Sequence, residues 1–379
     1  MRLLMLAEAR TVHARRWATA LLRRGWQVAM LSVSTAEIPG VQIIPLGTPA
    51  FGPRYPRRWW GRYAQYVRSV IRRLSPDLVH IHFLTDYPVA GFPGHGPGGS
   101  LWGGDAGPPV VISTWGADVV QDEWVPGDTP GQRARKIQLL QAADAVTATT
   151  SFLADCTAEY GGIGREAITV IPFGVDVSRY TAGTPRFGRE DLTVGFIKHL
   201  EPKYGFEYLL RALPGVFTRF PGARLVVVGA GSRQEQMRRL AGELGVAARV
   251  DWRGAVEHPQ VPAALAEMDV YAMPSVSLSE TFGVSAVEAQ AAGVPVVFTD
   301  LPGVREAVTD GVGGLAVPPQ DPAALEQAIC RLLADESLRR RLGDQGRRVV
   351  FERFDFERNV DQMEAVYRQV SPAVACAAS

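Results

Sequence analysis

Two periods of apolar residues alternate along the chain. Short, nearly continuous apolar runs have the pattern of strands buried on both faces. Longer stretches between them carry apolar positions at helical spacing. The first half opens with a strand at Arg2–Ala7, a helix over 14–24 stopped by Gly25, and a strand at Gln27–Leu31. Further strands are predicted at Asp77–His82, Val110–Ser113, Ala145–Thr149 and Ile168–Ile171. The second half repeats the alternation, with strands at Leu192–Ile197, Leu225–Val228, Arg249–Trp252, Val270–Met273, Val294–Phe298 and Gly314–Val317. Residues 322–353 and 356–370 read as helical. Strands alternating with helices predict parallel α/β sheets.

The interruptions divide the chain. Gly and Pro dominate residues 88–109, which predicts a long surface loop. Residues 177–191 are polar and contain Gly183, Pro185 and Gly188, as a linker would. At 379 residues the chain suits two domains, expected at 1–176 and 177–355. The tail Ser371–Ser379 is expected to fray.

Composition narrows the class. An apolar content of 46% with 21% charged residues is that of a globular soluble protein. No apolar run is long enough to span a bilayer, and Glu8 and Arg10 interrupt the first apolar stretch too early for a signal peptide. Cys156, Cys330 and Cys376 are far apart and lack metal spacing, so reduced thiols in the cytosol are expected. No Asp-x-Asp motif accompanies them, and no metal ligand set is predicted.

Charge is unevenly placed. Residues 1–75 hold thirteen Arg against Glu8 and Glu37, a net +11 in a chain whose total is +1. That region predicts an anionic partner. Within it, residues 54–73 carry Arg54, Arg57, Arg58, Trp59, Trp60, Arg62, Tyr63, Tyr66, Arg68, Arg72 and Arg73. Such a stretch can lie on an anionic membrane surface or meet a lipid-linked acceptor. The plainer alternative is an amphipathic helix on the first sheet with its Arg face in water. Nucleic acid is not expected, since no recognised module accompanies the charge. Lysine is rare: Lys136, Lys198 and Lys203 are the only three. Two of them fall within six residues at the end of a predicted strand, where open α/β sheets bind ligands. Two compact ammonium charges there suit a diphosphate.

Residues 274–297 contain Glu280 and Glu288, eight positions apart. Glu280 lies in a Ser/Thr loop after an apolar run, and Glu288 lies inside an Ala-rich helix. A loop feeding a helix N-terminus makes an anion site, and Gly283 lets backbone approach a ligand. A carboxylate further along the helix can accept hydroxyl hydrogen bonds. Phosphate plus vicinal hydroxyls describes a nucleotide-sugar.

This segment resembles the Glu-x7-Glu signature of retaining GT-B glycosyltransferases of family 4 (glycosyl transferases group 1). Thr193-Val-Gly-Phe-Ile-Lys198-His-Leu-Glu-Pro-Lys203-Tyr-Gly205 is similar to that family's Gly-Arg-Leu…Lys-Gly element, with Lys198 where Arg is usual. Val170-Ile-Pro-Phe-Gly174-Val-Asp176 resembles its hinge, and Leu225-Val-Val-Val-Gly229-Ala-Gly231 its second donor-domain strand and turn. Ser113-Thr-Trp115-Gly116-Ala-Asp118 resembles its His-Gly-x-Asp loop, with Trp115 in place of His.

The resemblance implies two Rossmann-like parallel-sheet domains facing a central cleft, with the final helix crossing back onto the first. It implies transfer of a sugar from a nucleotide-sugar to a hydroxyl acceptor with retention and without a metal or cofactor. Lys198 and Lys203 would hold the diphosphate, and Glu280 the sugar. Glu288 would hold the ribose, and the amides of Thr281, Phe282, Gly283 and Val284 the phosphates. Gly231 would let the nucleotide pack closely and Arg253 would frame the base. His13, Trp115 and Asp118 would meet the acceptor in the first domain, expected to be lipid-linked or anionic as in cell-surface polysaccharide or glycolipid assembly. The enzyme would be cytoplasmic, with peripheral membrane contact through residues 54–73. A sugar-nucleotide 2-epimerase and a catalytically silent nucleotide-sugar-binding partner are the competing readings. His80 and His82 alternate along one strand end and are read first as core or rim histidines.

Overall fold

Every strand ladder among the described residues is parallel. The computed structural model describes residues 1–46, 58–84, 107–180 and 191–371, without the side chains of 58–63. Most of the predicted Gly/Pro loop, the core of the linker, the tail beyond Ser371 and residues 54–57 of the Arg/Trp stretch lie outside these residues. The chain divides into a first unit, Met1–Gln121, Pro126–Pro172 and Glu357–Ser379, and a second, Asp122–Val125 and Phe173–Phe356.

In the first unit, β1 (Arg2–Leu6), β2 (Gln27–Ser32), β3 (Gln42–Pro45), β4 (Leu78–His82), β5 (Val110–Thr114), β6 (Ala145–Ala148) and β7 (Ile168–Val170) form one sheet in the order β3-β2-β1-β4-β5-β6-β7. Strands β4 (Leu-Val-His-Ile-His) and β5 (Val-Val-Ile-Ser-Thr) are buried along their whole length, polar positions included, as strands covered on both faces are. Helix α1 (Val12–Arg23) is capped by the Thr11 hydroxyl accepting from the Ala14 N–H, and it buries Trp17 and Leu21. It starts two residues before the predicted helix, which places His13 inside its first turn. Helix α2 (Arg58–Leu74) confirms a helical reading for most of the Arg/Trp stretch, with Val67, Val70 and Ile71 buried.

Helices α3 (Pro130–Ala142) and α4 (Ser151–Gly161) were not predicted. Their start signals are present: a Thr129/Gln132 capping box in one, and a Thr150 cap with left-handed Gly162 at the end in the other. Buried Ala154, Thr157 and Gly161 on α4 leave no strong apolar stripe to read. The strand β3 was also missed, being short and ending in Pro45.

The second unit is a sheet in the order β10-β9-β8-β11-β12-β13. Its strands are β8 (Thr193–Ile197), β9 (Arg224–Val228), β10 (Val250–Gly254), β11 (Val270–Met273), β12 (Val296–Thr299) and β13 (Gly314–Val317). Its helices include α5 (Phe206–Arg219), α6 (Gln234–Glu243), α7 (Val261–Leu265), α8 (Val284–Ala291) and α9 (Pro302–Ala307). The expected helical region 322–353 is two helices, α10 (Pro322–Ala334) and α11 (Glu336–Arg353). Asp335 breaks it and caps α11 by accepting from the Leu338 N–H at 2.8 Å.

Helix α12 (Phe356–Val370) belongs to the first unit from Glu357 onward. Arg24 donates to Glu364 at 2.8 Å and to Glu357 at 2.9 Å, and also pairs with Asp361. Trp26 donates to Glu364 at 2.7 Å. Among the described residues no helix is long and apolar enough to cross a membrane.

Candidate functional site

In the second sheet the connection from β8 runs to β9 on one side, while its other neighbour β11 leads on to β12. The carboxyl ends of β8 and β11 therefore flank a topological switch point, where an open parallel sheet leaves a crevice for ligands. Lys198–Gly205 leaves β8 there, and Pro274–Gly283 leaves β11. The two loops are tied together. Tyr271 Oη donates to the Ile197 carbonyl at 3.0 Å, and the Val276 N–H donates to the Lys203 carbonyl at 2.9 Å.

Lys198 Nζ lies 2.6 Å from Glu280 Oε2, with both side chains largely buried. The Tyr204 ring lies beside both lysines, its centroid 4.9 Å from Lys198 Nζ and 5.1 Å from Lys203 Nζ. A ring quadrupole and one carboxylate thus hold two like charges close together. Burial lowers the pKa of the Lys203 ammonium, while the Glu280 charge acts in the opposite direction. Glu201, between the lysines, accepts from Ser232 N–H at 2.7 Å, and those Ser232 bonds lower its pKa.

The turn carrying Glu280 has its own support. Asp122 Oδ2 accepts from Ser277 Oγ and from the Leu278 N–H, both at 2.8 Å. Gly283 then caps α8 with φ +74°, a conformation that favours glycine. Phe282 is buried against Phe173 and Phe354, with ring centroids 6.1 Å and 5.3 Å away. Its side chain anchors the loop, so only its backbone remains for a ligand. Four residues into α8, buried Glu288 places Oε1 2.7 Å from His258 Nε2. Arg179 donates through Nη1 to His258 Nδ1 at 3.0 Å and through Nη2 to the His258 carbonyl at 2.7 Å.

Comparison with known proteins adds the family. The model "Glycosyl transferases group 1" matches residues 184–349, and "Glycosyltransferase Family 4" matches residues 11–179. A D-inositol 3-phosphate glycosyltransferase of Nocardia farcinica is 31% identical over 368 residues, covering 88% of this chain and 78% of that protein. The chain belongs to glycosyltransferase family 4. A phosphatidyl-myo-inositol mannosyltransferase of Mycobacterium leprae is 38% identical over 214 residues; that match spans about half of either protein, 55% of each. Among solved structures, a sucrose-phosphate synthase of Thermosynechococcus elongatus superposes with a TM-score of 0.79 at 22% identity, covering 100% of both chains. HepE of Anabaena, solved with UDP and glucose, gives 0.75 at 19% identity, covering 96% of this chain and 98% of that one. The fold is the GT-B fold, with two parallel-sheet α/β domains.

In this family 4 glycosyltransferase, the second unit brings Lys198, Lys203, Glu280, Glu288 and the Thr281–Val284 backbone around one switch point. Gly231 and Arg253 stand apart in kind. A Cβ on Gly231 would fall 2.5 Å from the Leu200 carbonyl, so its missing side chain lets the turn pack on the Lys198–Leu200 segment. Gly229 does the same more severely: a Cβ there would meet the Lys198 carbonyl at 1.9 Å. Arg253 donates to Asp251 at 2.9 Å and to Glu267 at 2.7 Å, which gives its guanidinium a structural use.

The first unit has its own switch point between β1 and β4. His13 follows β1, and Trp115 follows β5. Their rings lie 5.5 Å apart, edge to face, and Trp115 meets His82 at 5.4 Å. The Asp118 carboxylate is turned into its own loop, accepting from the N–H groups of Leu84 (3.0 Å), Gly116 (2.8 Å) and Trp115 (3.1 Å). It shapes the loop that presents Trp115. The third lysine, Lys136, is buried and donates to the Asp118 carbonyl and to Asp128. His80 is a satisfied core histidine between Tyr367 Oη at 2.6 Å and Ser113 Oγ at 2.7 Å. His82 is equally buried, yet neither ring nitrogen has a hydrogen-bond partner among the described residues.

Sequence reasoning missed Asp122, Arg179, Tyr204 and His258. Only Tyr204 lay inside a motif already singled out. The others act across sequence separations of 155, 79 and 30 residues, where no local pattern signals them.

Proposed function

We propose that this glycosyltransferase moves a sugar from a nucleotide-sugar to a hydroxyl acceptor with retention, and that the chemical step needs no metal. The observation that carries this reading is the grouping of Lys198, Lys203 and Glu280 around Tyr204 at the switch point of the second sheet. Two ammonium groups offset the charge that a departing diphosphate gains. Each ammonium has three donors, so Lys198 can serve Glu280 and a phosphate oxygen together. Glu280 positions the sugar, Glu288 accepts from the ribose, and the start of α8 faces the phosphates through the amides of Thr281, Phe282, Gly283 and Val284. Gly231 and Arg253 border the nucleotide. The leaving diphosphate takes the acceptor proton, so neither glutamate serves as a nucleophile.

His13 and Trp115, on the loop shaped by Asp118, form the acceptor side in this reading. The relatives named for inositol phosphate and phosphatidyl-myo-inositol, together with the Arg-rich first 75 residues, support an anionic or lipid-linked acceptor in glycolipid or cell-surface polysaccharide assembly.

A thermal-shift panel with UDP, GDP, ADP, CMP and dTDP, each with and without EDTA, tests the donor site. A ligand at 100 times its Kd stabilises by roughly 2.7 kcal/mol. One nucleotide acting alone, insensitive to EDTA, supports the reading and names the base; no shift with any of them sinks it. Proton NMR of the first-formed product tests retention, since an inverted anomer would overturn that part alone.

A further inference from the structure

Glu288 is not held by its helix alone. His258 opens the short turn after β10, where Glu257 and Gln260 form a reciprocal capping box that fixes its backbone. Arg179, in the turn Val177–Tyr180, grips His258 twice, once at its carbonyl and once at Nδ1. A guanidinium only donates hydrogen bonds. Nδ1 therefore accepts and carries no proton, and the ring proton sits on Nε2. That N–H points at Glu288 Oε1, 2.7 Å away. Among the described residues Oε2 of Glu288 has no hydrogen-bond partner.

From this geometry we infer that His258, locked by Arg179 as its Nε2–H tautomer, is a positioning residue that fixes the Glu288 carboxylate for recognition of a ribose diol. The inference rests on the proposed ribose role of Glu288. A carboxylate free to rotate would share its hydrogen bonds between water and sugar. One oxygen tied to His258 leaves the other in a single orientation and lowers the ordering cost of binding. The site then discriminates a ribonucleotide from a deoxyribonucleotide, because a missing hydroxyl leaves a nearly buried carboxylate oxygen unanswered.

The test is isothermal titration of wild type and four variants: Glu288→Ala, His258→Leu, His258→Gln and Arg179→Met. The probes are the tightest binder among UDP, GDP and ADP, with its 2′-deoxy and 3′-deoxy counterparts. The readout is the ratio of deoxy to ribo Kd, which a general loss of fold does not selectively change. Wild type should show a ratio of about tenfold or more for at least one hydroxyl, as for a hydrogen bond to a charged group. Glu288→Ala and His258→Leu should bring the ratio to within about twofold of one. Arg179→Met should lower it partway, and His258→Gln, which keeps a donor near Nε2, should restore most of it. If Glu288→Ala collapses the ratio while His258→Leu keeps it, the positioning role is wrong and the ribose reading stands. Equal weakening of all probes by His258→Leu, ratio intact, likewise marks a merely structural residue. A wild-type ratio in Glu288→Ala, or no binding of any diphosphate, removes the ribose reading and this inference with it.

Discussion

Lys198 and Glu280 form an ion pair with 2.6 Å between Nζ and Oε2, joining the end of β8 to the loop after β11. Both side chains are mostly withdrawn from water, so each is the other's principal counter-charge. Removing one partner leaves a buried charge unpaired, which destabilises far more than losing a surface pair. Lys198→Met should therefore lower both stability and activity. The double variant Lys198→Met/Glu280→Gln should recover most of the stability and none of the activity. Denaturation midpoints and initial rates for the four members of this cycle check the coupling; additive stability losses would contradict it.

Lys203 stands differently, with Tyr204 beside it and only longer-range attraction to Glu280. Lys203→Ala should lower kcat/KM at least tenfold and leave the melting temperature near wild type. The scale follows from losing one electrostatic contact to charge developing in the transition state, about 10²–10³ in rate for such donors. Full activity in this variant would remove Lys203 from the donor site.

Asp122 holds the Glu280 turn through Ser277 and Leu278. Asp122→Ala should loosen that turn and cost about 1.5–3 kcal/mol, the range for hydrogen bonds to a charged group. The rate should fall by at least as much as for Ser277→Ala, which removes one of the two bonds. Melting curves beside steady-state kinetics decide; an active Asp122→Ala enzyme with an unchanged melting temperature would dismiss the clamp.

The buried histidines give the first unit a pH dependence. Burial lowers His80 well below the ordinary histidine value, with the neighbouring His82 adding to the effect, and burial alone brings His82 down to about 3. The unfolded chain takes up protons below about pH 6.5, while the folded imidazoles stay neutral. Stability is therefore full above pH 6.5 and falls as the pH drops towards 3. At pH 5 each contributes a loss of about 2 kcal/mol. His82→Phe should shallow the slope of urea midpoint against pH between 7 and 5. It should also cost little at pH 7, because it removes two buried nitrogens that have no partner. An unchanged slope would contradict this account.

Trp115 packs on His13 and His82 within the first unit. Trp115→Ala should raise the acceptor KM severalfold or more while nucleoside diphosphate affinity stays constant. Loss of donor affinity instead would place Trp115 outside the acceptor side.

The periodicity of the chain by itself determined the class of the fold. Short, nearly continuous apolar runs bounded by turn residues have the length and composition of strands covered on both faces, and helical stretches between them predict parallel crossovers. The same local reasoning put Lys198, Lys203 and Glu280 at strand ends and Glu288 inside a helix, because each follows within a few residues of a readable element. Helices α3 and α4 escaped it, since their small and mixed residues form no clear stripe although their caps were in the sequence. Which strand ends become neighbours was decided by tertiary structure alone. Placing β8 beside β11 brings Glu280 onto Lys198, and only the folded chain carries Asp122 to Ser277 or Arg179 to His258. Backbone periodicity reports which face of an element is buried. It carries no information about a partner that arrives from a distant segment, so the residues that aim the two glutamates became visible only in the fold.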